Sequence, residues 1–533
     1  MQPGALSGNI ILFMKRTPIY TRGIVTLELL IALAVGMIML SGVILVSFGG
    51  QTAGLDTQLG EHGLYTASTH MENLVASVIK GWNNPVYPTV NADNFYATSS
   101  AITDISPCLK GIGNAVQWHS EKERPLGINF DTLLSSVAVA KAMGGGCDPF
   151  PPGEWKHPDS AGWTDPDADI PSATGVAVAS INGRRYAFVT SEYSPAPGKH
   201  SFWVIDVSNP NGTLPIIKSI DLNVGLNGIA IGKINGGVYA FVITDQNEGQ
   251  LQVINITDPE NNPFKIISAS STLPKFANGI AKSIYYNDKK IYIGTNYGNC
   301  GSGCSDPEKN NELHIYNVSD PSVPAHAGSI WVNRDVNAIG VQDGFIYLAT
   351  GPGAAGSNNP LKIYNSISLT PSGSFIATQT QNQAGTSVYI LGNKLYLGLQ
   401  YATDSSRKDF YILNPDKLFF GIPSNDAILG SIRNREACAK QPNCGLGSGS
   451  EITDIIVQGR YAFLSTSEQT AGFQVWDISN PENIRQPSMC STYNYSEKAS
   501  DIAYADKYVF VTNLTQSKLR VIHNKDDSTQ CPL

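Results

Sequence analysis

The stretch Trp203-Val-Ile-Asp-Val-Ser-Asn-Pro210 governs the reading of this chain, because it recurs. It returns as LQVINITDP from Leu251, LHIYNVSDP from Leu313 and FQVWDISNP from Phe473, and in weaker form as LKIYNSIS from Leu361, FYILNPD from Phe410 and LRVIHN from Leu519. In the full copies a short apolar run leads to Asp or Asn, a small residue and Pro. The apolar run reads as a strand. The Asp or Asn oxygen can accept a backbone N–H two residues on, and the Pro presets φ for a reversal. Asp206, Asn255, Asn317 and Asp477 are therefore read as structural caps. Upstream lies a pair of short strands around a turn, as in VAVASINGRRYAFVTS from Val176, IGVQDGFIYLAT from Ile339, DIIVQGRYAFLSTS from Asp454 and DIAYADKYVFVTN from Asp501.

A small polar residue can be aligned at the opening of each first strand: Thr174, Asn227, Asn278, Asn337, Thr386, Thr453 and Ser500, spaced 47 to 67 residues apart. Seven units of about 50 residues with four short strands each predict a mainly β fold, a seven-bladed β-propeller over 173–533 whose radial closure shields its sheet edges. The last unit has three recognisable strands, so the ring is expected to close with the segment before Thr174 or with a tail strand. The units resemble LVIVD-repeat propellers over about 360 residues, with the fourth, fifth and seventh degenerate at the Asp and Pro. Trp476-Asp477 also suggests WD40, but no other copy has Trp-Asp and none has a Gly-His partner. The resemblance implies a fold and little about activity.

Composition bounds the rest. With 533 residues, 42% hydrophobic and 15% charged, the chain can bury a large core. A net charge of −8 without a long basic block argues against nucleic-acid binding.

From Leu29 to Phe48 twenty residues carry no charge, enough for a helix of about 30 Å that crosses a bilayer once. Lys15, Arg16 and Arg22 precede the run, which places the remainder of the chain outside the cytoplasmic membrane. Glu28 stands at the start of the run, where an ionised carboxylate needs a partner. The sequence Arg22-Gly23-Ile24-Val25-Thr26-Leu27-Glu28 resembles the type IV prepilin signal. That resemblance implies cleavage by a prepilin peptidase between Gly23 and Ile24, methylation of the new N-terminus, and pairing of Glu28 with the N-terminus of a neighbouring pilin subunit. Ile24 departs from the usual Phe or Met.

The resulting organisation is a leader over 1–23, a transmembrane and amphipathic pilin-like helix over 24–80, a neck over 81–172 and the propeller over 173–533. Leu55, Leu59, Leu64, Met71, Leu74, Val75 and Val78 supply the apolar face of the amphipathic part, while the glycines at 49, 50, 54, 60 and 63 are expected to weaken it. In the neck, Asn129–Met143 reads as a short helix stopped by three glycines.

Eight cysteines on the outer side of a membrane favour disulfides, and proximity pairs Cys108 with Cys147, Cys300 with Cys304, Cys438 with Cys444 and Cys490 with Cys531. The candidate site is the channel mouth, where the small polar ring and the adjacent Asp454 and Asp501 would bind a ligand or simply satisfy strand ends. No catalytic or metal motif is apparent, and no cofactor is expected. The function expected is non-enzymatic: a minor or tip subunit of a pilus-like filament presenting the propeller for adhesion to an extracellular ligand. The alternatives are a membrane-anchored envelope propeller or pseudopilin that does not polymerise, and a propeller hydrolase or lyase.

Overall fold

The computed structural model describes residues 54–80, 96–106, 109–119 and 125–135 and, from 154 to 525, all except 165–171, 193–199, 246–250, 261–264, 269–279, 298–310, 352–358, 377–382, 401–406, 421–423, 435–450, 468–470, 489–490, 494–497 and 514–518. Gly23, Ile24, Glu28, the run 29–48 and all eight cysteines lie outside the described residues. Among the described residues no helix is long and apolar enough to cross a membrane. The chain divides into two compact units, Met1–Asp104 with Lys110–Leu134, and Ile105–Leu109 with Ser135–Leu533.

In the first unit, helix α1 (Gly54–Lys80) packs on a three-stranded sheet of β1 (Tyr96–Ser106), β2 (Leu109–His119) and β3 (Pro125–Ser135), in that order. Ala67, Met71, Leu74 and Val78 stand three or four residues apart, so they form one stripe, and all four are buried against Tyr96, Ile112, Val116, Trp118, Phe130 and Leu134. The helix runs unbroken through Gly60 and Gly63, contrary to the expected weakening. Tertiary contact explains Gly63: a Cβ there would lie 3.0 Å from the buried Trp118 ring, so glycine lets the indole seat on the helix. The helix expected over 129–143 is also corrected, because its first half belongs to β3. Ile128, Phe130 and Leu134 sit at even spacing and turn to the same core, a period of two that the local apolar run hides.

The second unit contains seven sheets among the described residues. The first comprises β5 (Ala173–Ile181), β6 (Arg184–Ser191), β7 (Phe202–Asp206) and β9 (Ile216–Ile220). The next five each take four consecutive strands of the chain and begin at Leu226, Ala281, Val336, Gly385 and Ile452. The seventh has Ala499–Ala505, Tyr508–Asn513 and Leu519–Asn524 from the C-terminal end, and its fourth strand is β4 (Pro158–Thr164) from well before Thr174. The ring therefore takes in residues assigned to the neck by sequence. The two-stranded register extends to a parallel contact of β4 with the short β8 (Gly212–Thr213) of the first repeat. First strands of successive sheets pack on one another in order, and Ala499–Ala505 packs on β5, so the ring closes.

The apolar runs of the repeat follow from this arrangement. The second strand of every sheet in the ring is buried on both faces along most of its length, which permits continuous apolar strands such as Tyr461–Thr466, buried at all six positions. Each of seven apolar clusters joins two adjacent sheets; one of them, Val176, Val189, Trp203, Phe510 and Val521, spans the closing seam. The tight turns between first and second strands use Asn182-Gly183, Asn235-Gly236 and Asp343-Gly344, with φ between 51° and 85°, as two-residue hairpins require. The expected caps are in place: Asp206, Asn255, Asn317 and Asp477 each accept the N–H two residues on, at 2.8 to 3.0 Å. Asn365 and Asn414, in the copies without the full motif, do the same.

Candidate functional site at the inner strands

All seven first strands carry a β-bulge at the same place, just after their first residue. The bulged residues are Thr174, Asn227, Lys282, Asn337, Thr386, Thr453 and Ser500. Six are those expected from sequence. In the third sheet the position belongs to Lys282, whereas Asn278 lies outside the described residues. A lysine does not look like a small polar residue, but the signal was present: the β-branched residue two positions on, Val176, Ile229, Ile284, Ile339, Val388, Ile455 or Ile502, aligns all seven strands.

Four of the bulged side chains hand a hydrogen bond to the next sheet. Thr174 Oγ1 donates to Leu226 O at 2.5 Å, Asn227 Nδ2 to Ala281 O at 2.8 Å and Asn337 Nδ2 to Gly385 O at 2.7 Å. Ser500 Oγ closes the circle by donating to Ala173 O at 2.7 Å. In the third sheet Ser283 Oγ takes over, donating to Val336 O at 2.9 Å, and Lys282 Nζ instead bonds Asp335 Oδ2 at 2.6 Å. Thr453 Oγ1 bonds Ser465 Oγ within its own sheet, and Thr386 Oγ1 is buried without a partner among the described residues. A bulge turns the side chain toward the neighbour, and a polar atom there joins two sheets at edges that would otherwise meet only through apolar contacts.

The residue after each bulge is Gly175, Gly228, Ser283, Ala338, Ser387, Asp454 or Asp501. The two aspartates stand on adjacent sheets, and their carboxyls interact with one another. Asp501 Oδ2 also accepts Val176 N–H at 2.7 Å across the seam, and its Oδ1 accepts Ile502 N–H at 2.9 Å. The backbone N–H groups of Ile455 and Ile502 act on the Asp454 carboxyl in favour of its charged form. Gly175 makes this reach possible, since a Cβ on it would lie 3.4 Å from Asp501 Oδ2 and 2.9 Å from Thr190 Oγ1. Desolvation pushes both carboxyls above the ordinary range, and Asp454 is pushed well above it, with the Asp501 charge adding to the burial. Two neighbouring carboxylates in a desolvated site cannot both ionise cheaply.

Other titratable groups found only in the structure surround the ring. Burial pushes Glu451 up, eased by Lys282 and Lys498, and Tyr389, near Asp454, rises to about 12. In the third sheet Glu312 is 1% exposed; its carboxylate accepts Val332 N–H at 2.7 Å and Asn333 N–H at 2.8 Å, and burial lifts it to about 7. No local motif marks this glutamate in the sequence.

Residues 450–494 match the LVIVD repeat family. That stretch contains the whole sixth sheet, from Ile452 to Tyr493. Among solved structures, the chain is similar to BamB from Moraxella catarrhalis at 13% identity, over 67% of this chain and 85% of that one, with a TM-score of 0.37. A chain of the mitotic checkpoint complex matches at 9% identity over 70% and 96%, with a TM-score of 0.40. YCF48 bound to D1 peptide matches at 9% identity over 70% and 100%, with a TM-score of 0.43. No curated protein matches the chain. The closed ring of sheets defines the class as a β-propeller, and one of its sheets lies in the stretch that matches the LVIVD repeat.

Proposed function

We propose that this chain is a non-enzymatic, pilin-like surface protein, processed between Gly23 and Ile24, that carries a seven-bladed LVIVD-type propeller outside the cytoplasmic membrane as a minor or tip subunit of a filament, for adhesion or ligand recognition. The carrying observation is the order of parts: a basic leader ending in Gly23, Glu28 at the head of an uncharged run, and soon after it an amphipathic helix whose apolar stripe is committed to its own three-stranded sheet. The helix needs no further partner for that stripe, so it can serve as the stem of a head that emerges from the membrane. A head of about 480 residues would crowd every position of a thin filament, which favours a minor or terminal place. The bulged polar groups of the ring are spent largely on joining neighbouring sheets.

Glu28 is the test. In cells that make the filament, the wild-type chain is expected in the sheared filament fraction, and Glu28→Ala is expected to remain in the membrane fraction. Equal incorporation of both would remove the filament from the proposal and leave a membrane-anchored propeller.

A further inference from the structure

The segment that links the third sheet to the fourth presents a tryptophan to solvent from a loop tied down on several sides. It runs Trp331-Val-Asn-Arg-Asp335, between the outer strand Ala325–Ile330 and the first strand Val336–Gln342. Trp331 is 62% exposed, whereas Val332 and Arg334 are buried. Glu312 Oε2 accepts the Val332 and Asn333 N–H groups at 2.7 and 2.8 Å, and Lys362 Nζ from the fourth sheet donates to Val332 O at 2.6 Å. Asp335 Oδ1 accepts Tyr297 N–H at 2.6 Å, and Asp335 O accepts Gly351 N–H at 2.9 Å.

The corresponding loop of the first sheet shows what differs. It too has a buried residue followed by an asparagine with positive φ, Leu222-Asn223 against Val332-Asn333, with φ of 57° and 59°. There the first loop residue, Asp221, ties the loop by accepting Asn223 N–H at 2.7 Å. Trp331 occupies the place of Asp221 and has no side-chain acceptor. The residue before each third strand, whose own N–H bonds the end of the outer strand, is Ser201 in the first sheet, Glu312 in the third and Asp409 in the fifth. Where it is a carboxylate it takes the loop amides from beneath: Asp409 Oδ1 accepts Asn434 N–H at 2.6 Å, as Glu312 accepts Val332 N–H. In the third sheet the tie has moved to a buried side chain, and the outer position is free for an indole. The move costs stability, since Glu312 Oε1 is buried with no hydrogen-bond partner among the described residues. Folding alone does not require it, because the first sheet ties the same loop without a buried carboxylate.

We propose that Trp331 is the stacking platform of a saccharide-binding site, with Glu312 as its positioning residue and the Asn333 amide as its polar partner. The flat C–H face of a pyranose packs on an indole, and the hydroxyls around its rim need groups that both donate and accept. The Asn333 amide does both, and its side chain makes no hydrogen bond among the described residues. Lys282 and Asp335, partly exposed and paired at 2.6 Å, end the same loop in polar groups. A peptide partner fits less well: protein hot spots sit within a broad desolvated patch, whereas the loop residues that follow Trp331 are either buried or polar. Holding the loop in one conformation lowers the ordering cost of binding, and the ties at Val332 and Asn333 do this. The inference concerns the propeller alone and stands whether or not the chain enters a filament.

The experiment titrates the full chain, in a detergent without a sugar head group, with chitohexaose, cellohexaose and mannohexaose, following tryptophan fluorescence and calorimetric affinity. At least one of these is expected to bind and to shift the emission. Trp331→Ala is expected to lose the shift and to weaken binding about tenfold or more, and Trp331→Phe to retain part of the affinity. Asn333→Gly, which suits the positive φ, is expected to weaken binding without disturbing the loop. Because Trp331 is exposed, its replacement should leave the urea midpoint unchanged, so that lost affinity is not a lost fold. Glu312→Ala, which frees the Val332 and Asn333 amides, is expected to weaken binding, and Glu312→Gln, which keeps an acceptor oxygen, to restore it. Equal weakening by the two Glu312 variants would overturn the positioning role. Failure of every saccharide to bind, equal affinity for Trp331→Ala, or Trp331-dependent binding of linear peptides in their place would overturn the site.

Discussion

Trp155 sits before β4 in the stretch assigned to the neck by sequence, and it is completely buried. Its indole lies edge-on to Phe463 with ring centres 4.8 Å apart, and 6.3 Å from Phe473, within the cluster between the sixth and seventh sheets. Replacing it with alanine removes most of a side chain that buries about 150–250 Å². At about 25 cal/mol per Å² the whole side chain is worth about 4–6 kcal/mol, and after subtracting what an alanine retains, the loss is about 3–5 kcal/mol. Among the described residues the buried indole N–H has no hydrogen-bond partner, so its removal recovers a desolvation cost and draws the loss toward the lower end of that range. The assay is urea unfolding of the full chain in detergent, wild type against Trp155→Ala. A truncated chain starting at residue 173 provides the companion measurement, because it lacks both Trp155 and the fourth strand of the seventh sheet. That chain is expected to aggregate or to bind hydrophobic dyes. A loss below about 1 kcal/mol for Trp155→Ala, or a well-folded chain from 173, would refute closure of the ring by the N-terminal strand.

Gly63→Leu drives a branched side chain into the Trp118 ring and is expected to cost the helix–sheet unit about 1–3 kcal/mol despite the better helix propensity of leucine, read by circular dichroism on heating. His70 is buried, with Nε2 2.9 Å from Ser100 Oγ, and desolvation lowers its pKa; the stability linked to it is complete above the usual imidazole value near 6.5 and is lost as pH falls from there toward the lowered value. His70→Gln should flatten that acid limb in a thermal-melting series. Glu312 has the opposite sign: lifted from 4.5 to about 7, it makes stability fall as pH rises between those values, by up to about 3 kcal/mol. Glu312→Gln keeps an oxygen for Val332 and Asn333 and should remove the fall, and a wild-type denaturation midpoint that is level from pH 4.5 to about 7 relative to Glu312→Gln would contradict the assignment.

The repeat was legible because its signal is local. An Asp or Asn that caps its own turn, as at Asp206 or Asp477, is written in consecutive residues, and so are the Asn-Gly hairpins. The closing strand was not legible beyond its expected neighbourhood. Pro158–Thr164 has little apolar alternation, and what fixes it lies more than 300 residues away, as where Asn524 Oδ1 accepts the Lys156 and His157 N–H groups. β3 was misread for a related reason: its short apolar run allows helix or strand, and only the opposing face of α1 selects the even-numbered side chains. At the candidate site, six of the small polar residues aligned by sequence at the opening of the first strands fall at β-bulges, which residue type alone does not announce, and in the third sheet a lysine takes that place. Asp454 and Asp501 were legible as neighbours of the ring, but their interaction depends on two sheets meeting and cannot be read from either strand alone.

The proposal that this propeller chain is processed as a pilin-like protein is tested most directly by intact-mass and N-terminal peptide mass spectrometry of the chain from cells with and without a prepilin peptidase. The account predicts a mature start at Ile24 only when the peptidase is present, and a full leader with Met1 when it is absent. A leader that stays intact in both, or a cut elsewhere that does not depend on the peptidase, would contradict it.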